Sequence, residues 1–432
     1  MQRLSERLAL AKTIKQLNIN DADAIRLAQR LVYETTRSQN LIDKFINKII
    51  KPKKIDEYDL GVQAFLRLYV YQTRIKKNWT EIDFKEAENI TQTARSILGW
   101  RTLRKIEPYL GFLLTEKPKT IFENINDEEQ IALSTYHPTW FVNYCFRLFG
   151  RKEAITLLKG LTQPPPTYIR LNTLHAPENT ILNKLAEEGI QTEKVNELKY
   201  AYKIIKTKHA LAETESFKEG FFYVQDKASC YAAEAANPKA GMTVLDVCAA
   251  PGAKTTYLAQ LMKNQGSILS VDFSRRRMRV WEREISSMGT KIAEPIVADA
   301  SKLLPFAVEA DVVVLDPPCT STGVFGKSPS AKWRLTPQSI EDMAEIQRQI
   351  INNCADFVKI GGTLVYSTCS VTVEENEIII ERFLKHHAEF SLGDLTPKIG
   401  LAGLRGFEKC RRLYPHLHKC NGFFIAKLVK RS

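Results

Sequence analysis

The sequence predicts an α/β chain: a doubly wound, Rossmann-like sheet behind an all-helical amino-terminal region, with a small α+β unit between. Three observations carry this. From Gly241 onward, apolar strand-like runs alternate with helical patterns, the signature of a parallel sheet with crossover helices. Before about residue 150, apolar residues recur at helical spacing, with little strand-like alternation and little glycine. Between the two, Gln163-Pro164-Pro165-Pro166 marks a linker, followed by short mixed elements. The expected domains are therefore 1–150 (helical), 160–240 (a small RRM-like unit) and 241–432 (the catalytic sheet).

In the helical region, Ala24–Ile50 places Ile25, Leu27, Leu31, Val32, Leu41, Ile42, Phe45, Ile46 and Ile49 at amphipathic spacing. Leu60–Tyr71 and Ile97–Leu114 continue the pattern. Basic residues recur at Lys51, Lys53, Lys54, Arg74, Lys76, Lys77, Arg101, Arg104 and Lys105. They read either as solvated faces or as an RNA-contacting module. Tyr136–Trp140 closes the region, with Pro138 at the start of the next helix.

After the proline run, Thr167–Leu174 reads as a strand bearing Arg170, Thr180–Glu188 as a helix and Gly220–Val224 as a strand. Arg170 could contact a phosphate or pair with a carboxylate. Strands are then expected at Thr243–Cys248, Ser267–Phe273, Pro295–Asp299, Val312–Leu315, Thr363–Ser367 and Gly422–Val429. Helices are expected at Lys254–Lys263, Arg275–Met288, Pro337–Val358 and Glu374–Leu384.

Bulk properties narrow the classes. A chain of 432 residues exceeds one ordinary core. Its 62 Lys+Arg against 49 Asp+Glu, a formal +13, fit a nucleic-acid partner. The eight cysteines follow no secreted disulfide spacing and form no CxxC pair, so free thiols in a reducing cytoplasm are expected. Residues 1–18, with Arg3, Glu6, Arg7, Lys12 and Lys15, hold no signal-peptide core. No uncharged run is long enough to span a membrane. The remaining Cys and His positions (Cys410, His416, His418, Cys420) match no structural zinc pattern, so no metal is expected. Cys145 and Cys354 read as core.

The chemistry concentrates at strand ends. Val312–Cys319 (VVVLDPPC) runs an apolar strand into Asp316, two prolines that stop the ladder, and Cys319. Gly361–Cys369 (GGTLVYSTC) repeats the plan and ends in Cys369. Ligands of open α/β sheets bind outside the carboxyl ends of strands, which is where both cysteines fall. The first strand ends in Cys248, Ala249, Ala250, Pro251, Gly252, Ala253 and Lys254, a loop with one glycine. It is neither a dinucleotide fingerprint nor a phosphate loop, yet its small residues let backbone approach a ligand. Asp272 and Asp299 end the next two strands, where acids can hold ribose hydroxyls or an adenine amine. Together they favour an adenosine-containing cofactor, and S-adenosylmethionine over NAD. Asp-Pro-Pro is usually followed by an aromatic in amino-group methyltransferases; here Cys319 follows. A thiol suits addition to a base. Carbon 5 of cytosine is a poor nucleophile until a thiolate adds at carbon 6.

LDVCAAPGAKTT, DPPCTSTGV, KW (Lys332-Trp333) and YSTCSVTVEEN, in that order, resemble the RsmB/Sun (Fmu) group of RNA 5-methylcytosine methyltransferases. HPTW, IRLN and VQDKAS extend the likeness upstream to about residue 137, and RLYPH (Arg412–His416) fits a late motif. The helical region resembles the NusB-like RNA-binding domain of that group. The resemblance implies a methyltransferase fold with an antiparallel last strand. It implies Cys369 as nucleophile on carbon 6, Cys319 as the group that assists product release, Asp316 on the base edge, and Lys254 orienting the base or Asp316. It implies S-adenosylmethionine held by Cys248–Lys254, Asp272, Asp299 and Asp316. RNA is the expected partner, small-subunit ribosomal RNA before transfer RNA, with the protein a monomer. Competing readings are an RNA-binding assembly factor with an idle catalytic domain, and an exocyclic-amine methyltransferase. The chain departs from the group at Ala253 (usually glycine), Ser321 (commonly glycine or alanine) and Lys419-Cys420-Asn421, where threonine-aspartate usually precedes GFF.

Overall fold

A computed structural model describes residues 5–431; Arg3 lies outside the described residues. The chain forms two compact units. The first takes the chain up to Thr162 together with Ser328–Arg334, and the second takes the rest.

The first unit is helical: α1 (Glu6–Gln16), α2 (Ala22–Arg37), α3 (Gln39–Ile49), α4 (Leu60–Val70), α5 (Phe84–Leu98), α6 (Trp100–Leu103), α7 (Glu107–Thr115), α8 (Asp127–Ser134), α9 (Thr139–Phe149) and α10 (Arg151–Thr162). The apolar positions read from Ala24–Ile50 belong to two helices, broken at Ser38. Leu41, Ile42, Phe45 and Ile46 of α3 are buried in its core with Phe65, Leu66 and Tyr69 of α4. The stretch Ile97–Leu114 is likewise divided, because Gly99 takes φ +81° and ends α5. Arg74 is not a surface contact: its guanidinium is buried, donates to the carbonyls of Leu114 and Glu116, and lies over the Trp79 ring.

Two boundaries differ from the sequence expectation. Helix α10, beyond the expected end at residue 150, belongs to this unit, and Thr162 Oγ1 donates to Thr135 O at 2.7 Å. Ser328–Arg334, expected within the catalytic sheet, packs here instead. Trp333 Nε1 donates to Thr36 O at 2.6 Å, and the buried Lys332 lies over the Trp333 ring. A tryptophan and a lysine stem need apolar cover, and the helices supply it.

The second unit holds two sheets. The smaller is antiparallel, made of β1 (Tyr168–Leu171), β2 (Gln191–Lys194), β3 (Ala201–Lys206) and β4 (Phe222–Val224) in the order β2-β3-β1-β4. It is covered by α11 (Glu178–Glu187), whose Ile181 and Leu185 pack on Ile169, Leu171 and Phe222; the short α12 (Glu215–Lys218) precedes β4. Strands β2 and β3 escaped the sequence reading, since β2 is an edge of exposed polar residues with no apolar alternation. Arg170 does neither of the things expected of it. It is fully buried and donates to Gln225 Oε1, Ala253 O and Thr256 Oγ1, sandwiched near Tyr223 and Tyr257.

The larger sheet follows α13 (Lys227–Ala236). Its strands are β5 (Thr243–Val247), β6 (Ser267–Asp272), β7 (Ala293–Val297), β8 (Ala310–Leu315), β9 (Val358–Thr368), β10 (Phe390–Leu392), β11 (Leu401–Ala402), β12 (Arg411–Leu413) and β13 (Phe423–Lys430). The order is β11-β12-β13-β9-β8-β5-β6-β7, with β10 on β13. Strands β5 to β9 are parallel to their neighbours, and β13 runs antiparallel to β9. Helices α14 (Ala253–Leu261), α15 (Arg275–Ser287), α16 (Pro337–Ala355) and α17 (Glu377–His386) connect the strands.

Strand alternation divides the core. Val312 and Val314 join α13 and α14 on one face, whereas Val313 and Leu315 join α16 and α17 on the other. The chain runs outward from β5 to β7, then returns to β8 on the opposite side of β5. That reversal is a topological switch point, where the loops leaving β5 and β8 diverge and open a crevice. Among the described residues no helix is long and apolar enough to cross a membrane.

Candidate active site

Register brings the site residues level. Val247 pairs with Leu315, and Leu315 with Tyr366, so the loops carrying Cys248, Asp316 and Cys369 leave the sheet side by side. Asp316 N donates to Val247 O at 3.3 Å. Cys319 and Cys369, fifty residues apart, meet with their sulfurs 3.3 Å from each other.

This proximity is built by backbone. Gly323 N donates to Cys369 O, and Gly422 N to Gly323 O, both at 2.9 Å. A Cβ on Gly323 would stand 2.1 Å from Gly422 O and 2.7 Å from Cys369 O, so only glycine fits. A buried carboxylate adds a second clasp. Glu375 accepts from Thr320 N at 2.8 Å and from the hydroxyls of Thr320, Ser370 and Thr372. Gln347 Nε2 donates to it at 3.0 Å. Thr320 and Ser370 each follow a cysteine directly, so one side chain fixes both loops.

The two thiols are pulled in opposite directions. The hydrogen bond from Cys319 is the largest influence on Cys369 and lowers its pKa below that of a free thiol, against burial. The same bond, with burial, pushes Cys319 well up. Of the two, Cys369 is the thiol that gives up its proton more readily. By contrast, burial pushes the Cys248 thiol well up, in keeping with a packing role.

Beside the sulfurs, Lys254 Nζ donates to Asp316 Oδ2, and Ser367 Oγ donates to Asp316 Oδ1 at 3.2 Å. Burial is the largest single influence on Lys254 and works to lower its pKa, but the charge and hydrogen bond of Asp316, with the nearby Asp246 and Cys369, together raise it. Lys254 is thus turned to Asp316, close to the two sulfurs.

A cavity of ≈ 320 Å³ opens on the other side of β5, lined by Cys248, Asp272, Phe273, Asp299, Pro318 and Ile350 among others. Asp272 is buried, accepts from Ala250 N at 3.3 Å and Ser274 N at 3.0 Å, and pairs with Arg277 at 3.1 Å. Asp299 keeps a half-exposed carboxylate that accepts from Ser301 N and Oγ. Gly252 takes φ +113° at the turn into α14, and Ala253 O is held by Arg170. Of the remaining loop residues, Ala249 and Ala250 are buried against Met278, Trp281 and Ile285 of α15, and Pro251 is exposed. Two acids, apolar faces and adjacent loop backbone fit an adenosine-bearing methyl donor. Among the described residues no cluster of three or more His, Cys, Asp or Glu could hold a metal.

Ser321, Ser367, Glu375 and Gly323 were not singled out as functional from sequence. Glu375 and Gly323 lie inside the quoted motifs, but only the close approach of two distant loops gives them a role.

A crevice at the switch point of a doubly wound sheet with an antiparallel last strand, beside two adjacent thiols and an Asp–Lys pair, defines a Rossmann-like methyltransferase fold. Comparison with known proteins identifies the family. Residues 233–429 match the model for 16S rRNA methyltransferase RsmB/F, 137–209 its ferredoxin-like domain, and 2–82 the NusB family. A probable ribosomal RNA small subunit methyltransferase B of Bacillus subtilis (strain 168) is 31% identical over 98% of this chain and 94% of its own. A tRNA (cytosine(72)-C(5))-methyltransferase of Pyrococcus horikoshii is 38% identical over 51% of this chain and 55% of its own. The crystal structure of NSun6 from Pyrococcus horikoshii with SFG, an S-adenosylmethionine analogue, superposes with TM-score 0.63 at 28% identity, over 68% of this chain and 98% of that one. The chain belongs to the RsmB/F family. It is an S-adenosylmethionine-dependent RNA (cytosine-5) methyltransferase.

Proposed function

We propose that this protein methylates carbon 5 of a cytosine in small-subunit ribosomal RNA through a covalent Cys369 adduct. The observation that carries the reading is the 3.3 Å separation of two sulfurs with opposed proton affinities. The target base must leave its stack to reach them. The Cys369 thiolate adds to carbon 6, forming a C–S bond and pushing electron density to carbon 5. Asp316, held by Lys254 and Ser367, takes the base edge and fixes its plane. Bound S-adenosylmethionine supplies the electrophilic methyl group. Solvent water then takes the carbon 5 proton, the freed C–H electron pair forms the ring double bond, the C–S bond breaks and its electron pair returns to Cys369. Cys319 assists this release.

Ribosomal RNA is favoured over transfer RNA because the amino-terminal helices match the NusB model, and the likeness to the Bacillus protein spans almost the whole chain. Exposed Lys51, Lys53, Lys54, Arg101, Arg104 and Lys105 give those helices cations for phosphate. The transfer RNA reading rests on the 38% identity confined to half the chain.

The test incubates the full chain with labelled S-adenosylmethionine and RNA, with nucleoside mass spectrometry and bisulfite mapping as readouts. 5-Methylcytidine at one small-subunit position is expected. Cys369→Ala should abolish transfer while cofactor affinity stays unchanged. Cys319→Ala should accumulate an RNA adduct that survives denaturing electrophoresis. An active Cys369→Ala enzyme would remove the covalent step.

A further inference from the structure

Ser321 lies beside both sulfurs on a backbone that suits glycine. It takes φ +57°, in the left-handed region that costs a side-chain-bearing residue and suits glycine. It precedes the 3-10 turn Thr322–Val324 but its hydroxyl makes no capping bond there. Instead its oxygen accepts from the Cys369 thiol at 3.5 Å and lies 3.9 Å from Cys319 Sγ, so that on ionisation of Cys369 the same hydroxyl can turn its own proton to the sulfur. Both distances are within hydrogen-bond reach of sulfur. A strained backbone position whose side chain aims at a reacting atom points to function rather than packing.

We propose that Ser321 is a further catalytic residue, whose hydroxyl donates to the Cys369 thiolate before attack and again as that sulfur leaves carbon 6. The catalytic part of this proposal rests on Cys369 as nucleophile; the thiolate part does not. The charged and titratable groups around Cys369 leave room for such a donor. Cys319 supplies one proton from the loop after β8, while Asp316 and Glu375 oppose negative charge on the sulfur. Lys254, from α14, is engaged by Asp316. A neutral hydroxyl adds stabilisation without adding charge. In the release step the C–S bond breaks, both electrons remain on sulfur, and the Ser321 proton is shared with the departing thiolate without being transferred. The resemblance gives glycine or alanine as common here, so this donor would belong to this chain rather than to its group.

The experiment uses the full chain and two variants, Ser321→Ala and Ser321→Gly. Iodoacetamide is the probe, and peptide mass spectrometry follows the modification of Cys369 against pH. Both variants should shift the midpoint upward and slow modification near pH 7 by about three- to tenfold, from the loss of one hydrogen bond to a charged group. Ser321→Gly should not lower the unfolding temperature, because glycine relieves the backbone strain. Slower sulfur with undiminished stability is a pairing that a merely structural role does not produce. An unmoved midpoint in both variants overturns the proposal. So does a shift in Ser321→Ala alone, which would assign the effect to backbone. The methyl-transfer rate should fall with the alkylation rate. If alkylation shifts but transfer does not, the thiolate contact stands and the catalytic part fails. Adduct trapping on Cys319→Ala reports separately on whether Cys369 is the nucleophile.

Discussion

The loops after β8 and β9 are near copies in plan, yet they hold their thiols in opposite states. Each follows an apolar parallel strand, each carries a cysteine at its turn, and each gives the next residue to Glu375. Burial pushes both thiols up. The difference lies in the contact between the sulfurs, which lowers the Cys369 pKa, with a smaller contribution from Ser321, and raises that of Cys319. Two similar sites placed 3.3 Å apart thus become unlike through their own contact, without a histidine or a metal between them. Proton placement in this dyad is a property of loop spacing, and spacing is what the surrounding residues control.

The most damaging way to break the comparison is Gly323→Ala. The added methyl would meet the carbonyl oxygens of Gly422 and Cys369, both backbone, so the loops must part. A displacement near 1 Å at a reacting centre costs about a hundredfold in rate, and overpacking costs about 1–3 kcal/mol in stability. Single-turnover methyl transfer and thermal unfolding measure the two. Transfer within a few fold of wild type would mean the clasp does not set the sulfur spacing.

A smaller effect is expected from Glu375→Gln. The buried carboxylate gathers three hydroxyls and one backbone N–H, and an amide cannot accept from all of them. About 1–3 kcal/mol of stability should be lost through unsatisfied buried groups. Methyl transfer should slow by about tenfold, with cofactor affinity unchanged, because Glu375 does not line the cofactor cavity. Equal losses in affinity and rate would place its role in the fold as a whole rather than in the loops.

The parallel strands β5, β6, β8 and β9 were legible because buried strands write themselves as apolar runs ending in turn residues. The cysteine pair was legible for the same reason: a strand end fixes where its next residues stand. Strands β2, β11 and β12 were not legible, being two to four residues long with mixed or exposed side chains. Arg170 misled because charge on a strand suggests a ligand, whereas its hydrogen-bond partners come from residues 55 to 86 positions away. Ser328–Arg334 misled because a segment's neighbours in sequence did not reveal which unit would bury its tryptophan. Glu375 illustrates the general limit. Its acid was visible in the motif, but its use depends on three hydroxyls and an N–H that only tertiary structure collects.

The subtlest test separates the two thiols without touching the clasp. Cys319→Ala removes the hydrogen bond that contributes most to lowering Cys369. The thiolate fraction rises with pH, so a raised pKa means slower alkylation near neutrality and recovery in alkaline solution. Wild-type Cys369 should be modified by iodoacetamide with a midpoint below that of a free cysteine, while Cys319 stays protected at the same pH. In Cys319→Ala the Cys369 midpoint should move upward, slowing modification near pH 7 by about tenfold, the scale of one hydrogen bond to an ionised group. The reciprocal Cys369→Ala should do the opposite to Cys319: with no neighbouring thiolate to hold its proton, its midpoint should fall. Movement of both midpoints in the same direction would mean that burial, not the contact between the sulfurs, decides where the proton resides.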